Sequence, residues 1–236
     1  MTPIYAGVTK ADYSIPDGKY PAILFQIVQI GSHYFCKRNK NGDVTSEWYS
    51  PQILLGFELP TLTYENQNGE VVSNIKSGTY FLSMNPARSG VVGLREIIDG
   101  LRGTAEYSES ELEQFDISSF LGKECTVELS GVESKGVVYQ NITKVEPYTG
   151  AEKIEALRTP ILVTVEDFKN VDTLNLPDWI KGKIMDSQEY TEMTAPDNKS
   201  VEEFNESLNA EKPAEPKQMR LDDEEEEIRI EDIPFK

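Results

Sequence analysis

The sequence predicts an all-β domain with helical insertions, followed by a disordered acidic C-terminal tail. Runs rich in β-branched and aromatic residues alternate with glycine and asparagine turns over residues 18–150. One stretch between these runs has helical spacing instead. Acidic residues are concentrated in the C-terminal part of the chain. Residues 1–150 hold 12 Lys and Arg against 18 Asp and Glu, whereas residues 151–236 hold 11 Lys and Arg against 23 Asp and Glu.

The first half of the domain contains three predicted strands, at residues 20–30, 44–59 and 71–84. Gly31 is expected to end the first strand. The Asn41-Gly42 pair marks a hairpin turn, since both positions tolerate positive φ angles. Pro51 interrupts the second strand as an edge, bulge or bend, and Pro60 closes it.

A helix is predicted at residues 91–101, because Leu94, Ile97, Ile98 and Leu101 share one face at helical spacing. Ser108 or Ser110 and then Asp116 are expected to cap two short helices. Two further strands are predicted at residues 124–129 and 137–142.

Three strands, a helical insertion and two strands follow one another in the order of the OB-fold. That fold is a five-stranded Greek-key barrel, here with a helix between strands 3 and 4. Another small barrel has the same strand count, so the element order favours a five-stranded OB-fold barrel without excluding the alternative.

The predicted domain organisation has four parts: an N-terminal leader at 1–17, the OB-fold domain at 18–150, a C-terminal extension at 151–190 and a disordered acidic tail at 191–236. The extension shows weak order up to residue 175. A short helix then carries Trp179, Ile180 and Ile184, which are expected to dock on the body. The tail is too polar to offset its ordering entropy.

Several function classes are excluded by composition. The N-terminus lacks the apolar region of a signal peptide, and no apolar run is long enough for a membrane span, so a cytoplasmic protein without membrane contact is expected. Two cysteines and one histidine do not make a zinc site, and no metal or cofactor is expected. A disulfide stays open, although free thiols are favoured. No catalytic motif is recognisable, so the protein is not expected to be an enzyme.

Aromatic and basic residues cluster around the first hairpin turn. Single-stranded DNA binds without sequence preference to stacking rings beside a positive track, and this cluster offers both. The candidate DNA contacts are Tyr34, Phe35, Lys37, Arg38, Lys40, Trp48 and Tyr49. Core packing is the competing interpretation of the rings, and one ring of each adjacent pair is expected to face inwards.

The third strand adds candidates. Tyr80 and Phe81 present the same choice between core and surface, and Tyr80 is taken as the DNA contact. Lys76, Arg88, Arg95 and Arg102 could add phosphate contacts, and Lys76 and Arg88 are taken as candidate DNA contacts. For each of the four taken singly, a solvated surface charge is the favoured interpretation.

The end of the tail is distinctive. Six consecutive acidic residues precede an acidic tip that contains Asp232, Ile233, Pro234 and Phe235. This tip resembles that of bacterial single-stranded DNA-binding proteins, which implies that it recruits replication or recombination proteins. Lys236 departs from that pattern, because it displaces the terminal carboxylate from Phe235 and adds a positive charge.

Short motifs in the body are similar to a family of phage-encoded OB-fold single-stranded DNA-binding proteins. The similar segments are residues 18–22, 57–60, 94–103, 120–125, 139–142 and 176–180. The resemblance implies sequence-nonspecific binding of single-stranded DNA in phage replication, recombination or repair, in the host cytoplasm. Homo-oligomerisation stays open.

The net charge of −18, taken by itself, argues against nucleic-acid binding. The alternative function is a viral structural or interaction protein, such as a virion component or an acidic DNA mimic. A mimic would carry its acids on the folded body. Here the shorter C-terminal part carries two-thirds of the excess, which disfavours the alternative.

Overall fold

The computed structural model describes residues 15–66, 68–87, 91–113, 115–134 and 137–195. The chain divides into two units, Met1–Ala195 and Pro196–Lys236. The second unit, which holds most of the predicted tail, lies outside the described residues, as does most of the predicted leader. The described residues are mostly β, which confirms the predicted class at that level.

Strands dominate the described part of the chain. They are β1 (Gly18–Arg38), β2 (Val44–Glu65), β3 (Val71–Phe81), β4 (Glu124–Ser134), β5 (Val137–Pro147) and β6 (Ile161–Val163). The α-helices are α1 (Leu94–Arg102), α2 (Glu109–Glu113), α3 (Asp178–Met185) and α4 (Gln188–Thr194). Two 3₁₀ segments lie at Ile117–Phe120 and Val165–Thr173. No helix among the described residues is both long enough and apolar enough to cross a membrane.

Five of the strands form one antiparallel sheet in the order β3-β2-β1-β4-β5. β6 joins it by pairing in parallel with β1 at residues 26–28. Within the described residues no ladder joins β3 to β5, so hydrogen bonds do not close the sheet. α1 lies between β3 and β4 in the chain, as predicted.

β1 and β2 are longer than the sequence predicts. Gly31 was expected to end the first strand, but it lies within β1 beside a shift in register. Pro60 was expected to close the second, but it lies within β2 where pairing with β3 is interrupted between Leu59 and Thr63. Both breaks are irregularities inside a strand, where a positive φ or a missing N–H is tolerated.

The main core lies on one face of the sheet, beneath α1. The predicted apolar face of this helix is confirmed, since Leu94, Ile97, Ile98 and Leu101 are all buried. A Cβ atom on Gly100 would lie 2.0 Å from the carbonyl oxygen of Val145 on β5. Glycine at this position therefore allows α1 to approach the sheet closely.

A second core covers the other face of β1 and β2. Val28, Ile30 and Leu54 of the strands pack with the extension, which contributes Phe168, Val171, Leu176, Ile180 and Ile184. Because both faces of these strands are buried, their sequence is a nearly continuous apolar run. Ile180 and Ile184 thus dock as predicted, whereas Trp179 is 52% exposed and does not. The weak order expected for residues 151–175 is wrong, because β6 and a 3₁₀ segment form there.

A cluster of buried polar side chains joins the extension to the sheet through hydrogen bonds. Glu58 and Ser73 are buried, and the Glu58 carboxylate accepts hydrogen bonds from the Ser73 hydroxyl and the Leu157 amide. The Arg158 guanidinium donates to the hydroxyl and the carbonyl of Ser73. These bonds give one oxygen of the buried carboxylate, Oε1, partners from both the sheet and the extension.

Candidate functional site

The hairpin of β1 and β2 continues past the buried cores as an arm, defined here as residues 32–52. Ile30 on β1 and Ile53 on β2 are buried, but every arm residue is exposed or half-buried. The register pairs Tyr34 with Tyr49 and Phe35 with Trp48. Since neighbouring side chains of a strand point to opposite faces, the two ring pairs lie on opposite faces of the arm.

One face, here called the Trp face, carries Phe35, Trp48 and Phe81. The rings of Phe35 and Trp48 are stacked with centroids 6.0 Å apart and an angle of 23° between their planes. Phe81, at the end of β3, meets Phe35 edge-on at 5.2 Å. Trp48 is 46% exposed and Phe81 49% exposed, so the group offers flat apolar surface to a ligand.

The opposite face, here called the Tyr face, carries Tyr34, Tyr49 and Glu47. The two tyrosine rings meet edge-on with centroids 5.8 Å apart. The Tyr34 hydroxyl donates a hydrogen bond of 2.6 Å to the Glu47 carboxylate, and this bond raises the pKa of Tyr34 to about 12. Tyr34, Trp48 and Tyr49 are exposed and Phe35 is half-buried, so no ring of the two adjacent pairs is buried in a core. The expectation that one ring of each pair faces inwards is therefore wrong, because the arm lies beyond both cores.

The turn at the end of the arm is held by Asn39. Its side-chain oxygen accepts hydrogen bonds from the backbone N–H groups of Asn41 and Asp43, and the Arg38 guanidinium donates to the Gly42 carbonyl. A side-chain oxygen that bonds its own backbone two residues on stabilises a turn of this kind. The turn therefore presents the neighbouring Lys40 to solvent in a defined geometry.

The arm differs in charge from the chain as a whole. It carries three cations, Lys37, Arg38 and Lys40, against two carboxylates, while the chain has a net charge of −18. All three cations are exposed. None of the salt bridges found among the described residues involves them. Their charge is therefore available to a phosphate backbone.

The prediction of Tyr80 as a DNA contact is wrong. Tyr80 is 8% exposed and belongs to the main core, and a buried ring cannot stack on a base. The exposed ring of this strand is its neighbour Phe81, because successive side chains alternate between the faces of a sheet. The sequence offered the choice between the two but no signal to decide it.

The remaining predicted cations are placed less favourably. Lys76 is half-buried, its pKa is lowered by burial, and it pairs in register with the core residue Phe57, which puts it on the core side of the sheet. Arg95 and Arg102 lie over the Tyr107 ring, with guanidinium carbons 5.0 and 4.4 Å from its centroid. They are packing partners rather than free charges.

Arg88 and the predicted partner-binding residues of the tail lie outside the described residues. The latter are Asp232, Ile233, Pro234 and Phe235.

Comparison with known proteins adds no assignment. No protein-family model matches the chain, and no curated protein matches it either.

Proposed function

We propose that this protein binds single-stranded DNA on the Trp face of its arm, without sequence preference. The observation that supports the proposal is the group formed by Phe35, Trp48 and Phe81, which lies next to the exposed cations of the arm. Stacking on an aromatic ring is worth about 1–3 kcal/mol per base and tolerates every base. Three adjacent rings provide room for more than one such contact.

The Trp face is a better platform than the Tyr face because of charge. Lys37 is two residues from Phe35 on the same strand and therefore on the same face. Glu47 lies on the Tyr face, where its carboxylate is bound to Tyr34 and offsets the charge of Arg38, which also acts on Tyr34. A carboxylate repels phosphates, whereas a lysine attracts them.

The proposal extends to the fold, which we take to be a barrel of OB type. The support is the strand order β3-β2-β1-β4-β5 together with a helix between the third and fourth strands. Such barrels are partly open and bind oligonucleotides on strands 2 and 3 and on the loop between strands 1 and 2. The arm is the counterpart of the loop between strands 1 and 2, and Phe81 is the last residue of β3.

The biological role is proposed from the resemblance of the body and the tail tip to single-stranded DNA-binding proteins. The protein acts in phage DNA replication, recombination or repair as a binder and not as an enzyme. Residues 232–235 recruit replication or recombination proteins to the DNA. The DNA-binding surface and the recruiting tip are then separate in the sequence.

Fluorescence anisotropy with a labelled oligo-dT over a salt series tests the proposal. We expect binding that weakens as salt rises, since cations of the arm release counterions from the phosphates. Replacing Lys37 and Lys40 with alanine is expected to reduce the slope of log K against log salt by about 1.4, because each neutralised phosphate of a single strand accounts for about 0.7.

The matched control replaces Lys153 and Lys169, two exposed lysines outside the arm, with alanine. It changes the net charge equally and is expected to leave the slope unchanged. An equal reduction in both variants would refute the arm as the binding site. No binding of oligo-dT at low salt would refute the function and favour the alternative of a viral interaction protein.

A further inference from the structure

β1 changes direction at the base of the arm. Its register with β2 shifts between Gln29 and Gly31, which leaves Ile30 as an extra residue on the β1 side. Gly31 has a φ of +80°, an angle that residues with a side chain rarely adopt. A bulge of this kind bends the strand and redirects the side chains beyond it. The direction of the arm is therefore set near Gly31.

Helix α4 packs directly against this bend. Its N-cap residue Ser187 is buried and accepts a hydrogen bond from the Tyr190 amide. A Cβ atom on Gly31 would lie 2.4 Å from the Cβ of Ser187, which close packing does not permit. Glycine at position 31 thus allows both the bend and the contact with α4.

Glu189, in the first turn of α4, binds the first residue of the arm. Its carboxylate accepts a hydrogen bond of 2.6 Å from the Ser32 amide and one of 2.7 Å from the Ser32 hydroxyl. Among the described strands, β6 pairs with β1 at residues 26–28 of β1, and this pairing ends before Ser32. The carboxylate takes the place of a strand partner for this amide.

Glu189 is ionised at neutral pH. Burial raises the pKa of its carboxyl, but the hydrogen bonds from Ser32, a hydrogen bond from its own backbone amide and the nearby His33 together place the pKa below its ordinary value. Hydrogen bonds to an ionised acceptor are roughly twice as strong as neutral ones. The contact with Ser32 is therefore a strong link between the extension and the arm.

We propose that Glu189 is a positioning residue for DNA binding: through its two hydrogen bonds to Ser32 it holds the direction in which the arm leaves the body. This inference rests on the proposed function, because the arm is the proposed DNA-binding element. Glu189 acts through Ser32 and is not proposed to touch DNA.

Electrostatics alone predicts the opposite effect of removing Glu189. A carboxylate close to a DNA-binding surface repels phosphates, so its loss would tighten binding. Loss of a positioning residue weakens binding instead, because the arm must then be ordered when DNA binds. The sign of the effect therefore separates the two roles.

The test compares the full-length wild type with Glu189→Ala and with the matched control Glu192→Ala. The control removes a carboxylate from the same helix, one whose partner is Gln188 rather than the arm. We expect Glu189→Ala to weaken oligo-dT binding about tenfold, as one charged hydrogen bond corresponds to about that factor. The control is expected to bind as well as the wild type or more tightly.

Hydrogen exchange gives a second readout that does not depend on DNA. In Glu189→Ala, backbone amides of residues 32–52 are expected to exchange faster, while those of β4 and β5 keep their wild-type rates. Glu189→Gln retains a neutral carbonyl acceptor for the Ser32 amide and is expected to restore part of the affinity and the protection.

Unchanged or tighter oligo-dT binding by Glu189→Ala, or unchanged exchange in the arm, would overturn the positioning role. Faster exchange in β4 and β5 as well would show that Glu189→Ala has lost the fold. Ser32→Ala then decides, since it removes only the hydroxyl donor and must still weaken binding. Absence of oligo-dT binding by the wild type would refute the proposed function, while exchange would still report whether Glu189 holds the arm.

Discussion

Trp48 and Trp179 are exposed to a similar degree, 46% and 52%, but among the described residues only Trp48 pairs with another aromatic ring. On the proposed function, Trp48→Ala lowers the affinity for oligo-dT by about 1–3 kcal/mol, the value of one stacked base. Trp179→Ala is the control and is expected to leave the affinity unchanged. Fluorescence anisotropy at fixed salt measures both variants.

The same experiment distinguishes the two faces of the arm. Tyr49→Ala removes an exposed ring from the Tyr face, where Glu47 disfavours phosphates. We expect it to cost less affinity than Trp48→Ala or Phe81→Ala. A loss of affinity with Tyr49→Ala and none with Trp48→Ala would place the DNA on the Tyr face.

The two thiols differ in reactivity because of their surroundings. Cys36 is half-buried on the arm and Cys125 is buried in the core, and neither forms a disulfide. Burial raises the pKa of Cys125 to about 12, so its reactive thiolate is scarce at about pH 8. With a thiol reagent such as DTNB, one thiol per folded chain is expected to react, and both after unfolding in denaturant. Fast reaction of both thiols in the folded protein would contradict the buried position of Cys125.

At the level of elements, the extension is part of the stable fold. Phe168 is fully buried beneath the sheet, and Phe168→Ala is expected to reduce the free energy of unfolding by about 3–5 kcal/mol, because it leaves a cavity. Urea denaturation measures the loss.

Leu162→Ala is the control for this prediction, since Leu162 lies on β6 and is 45% exposed. Its effect is expected to stay within about 0.5 kcal/mol. A small effect of Phe168→Ala, or a separate early transition for the extension, would show that the second core contributes little to global stability.

At the level of the whole molecule, the acidic tail and the basic arm have opposite charge. Residues 221–236 contain eight carboxylates and two cations. On the proposed function, deleting them is expected to tighten oligo-dT binding at low salt, because their net negative charge repels phosphates, and to abolish recruitment of partners. Anisotropy over a salt series measures the first effect, and equal affinity with and without the tail would contradict it.

A second variant separates charge from recruitment. Replacing the four glutamates at residues 224–227 with glutamine removes four carboxylates but leaves residues 232–235 intact. We expect tighter DNA binding at low salt with recruitment retained, measured by capture of purified replication proteins on immobilised protein. Loss of recruitment in this variant would show that the acidic run, and not the tip, carries the partner contact.

The sequence by itself determined the features that depend on neighbouring residues. The turn at Asn41-Gly42, the apolar face of α1 and the Asp116 cap of the following 3₁₀ segment were all predictable and all form. Turn chemistry, helical periodicity and capping act over a few residues, so a linear pattern contains them. The clustering of rings and cations around the turn of the arm was predictable for the same reason, because these residues are close together in the sequence.

Only the tertiary structure decided which surfaces are buried. Whether Tyr80 or Phe81 faces the core depends on the register of β3 with β2, and the second core depends on segments that return to β1 from far along the chain. The hydrogen bonds between Ser32 and Glu189 join residues 157 positions apart. No local pattern contains such contacts, because their energy comes from groups that become neighbours only after the chain has folded.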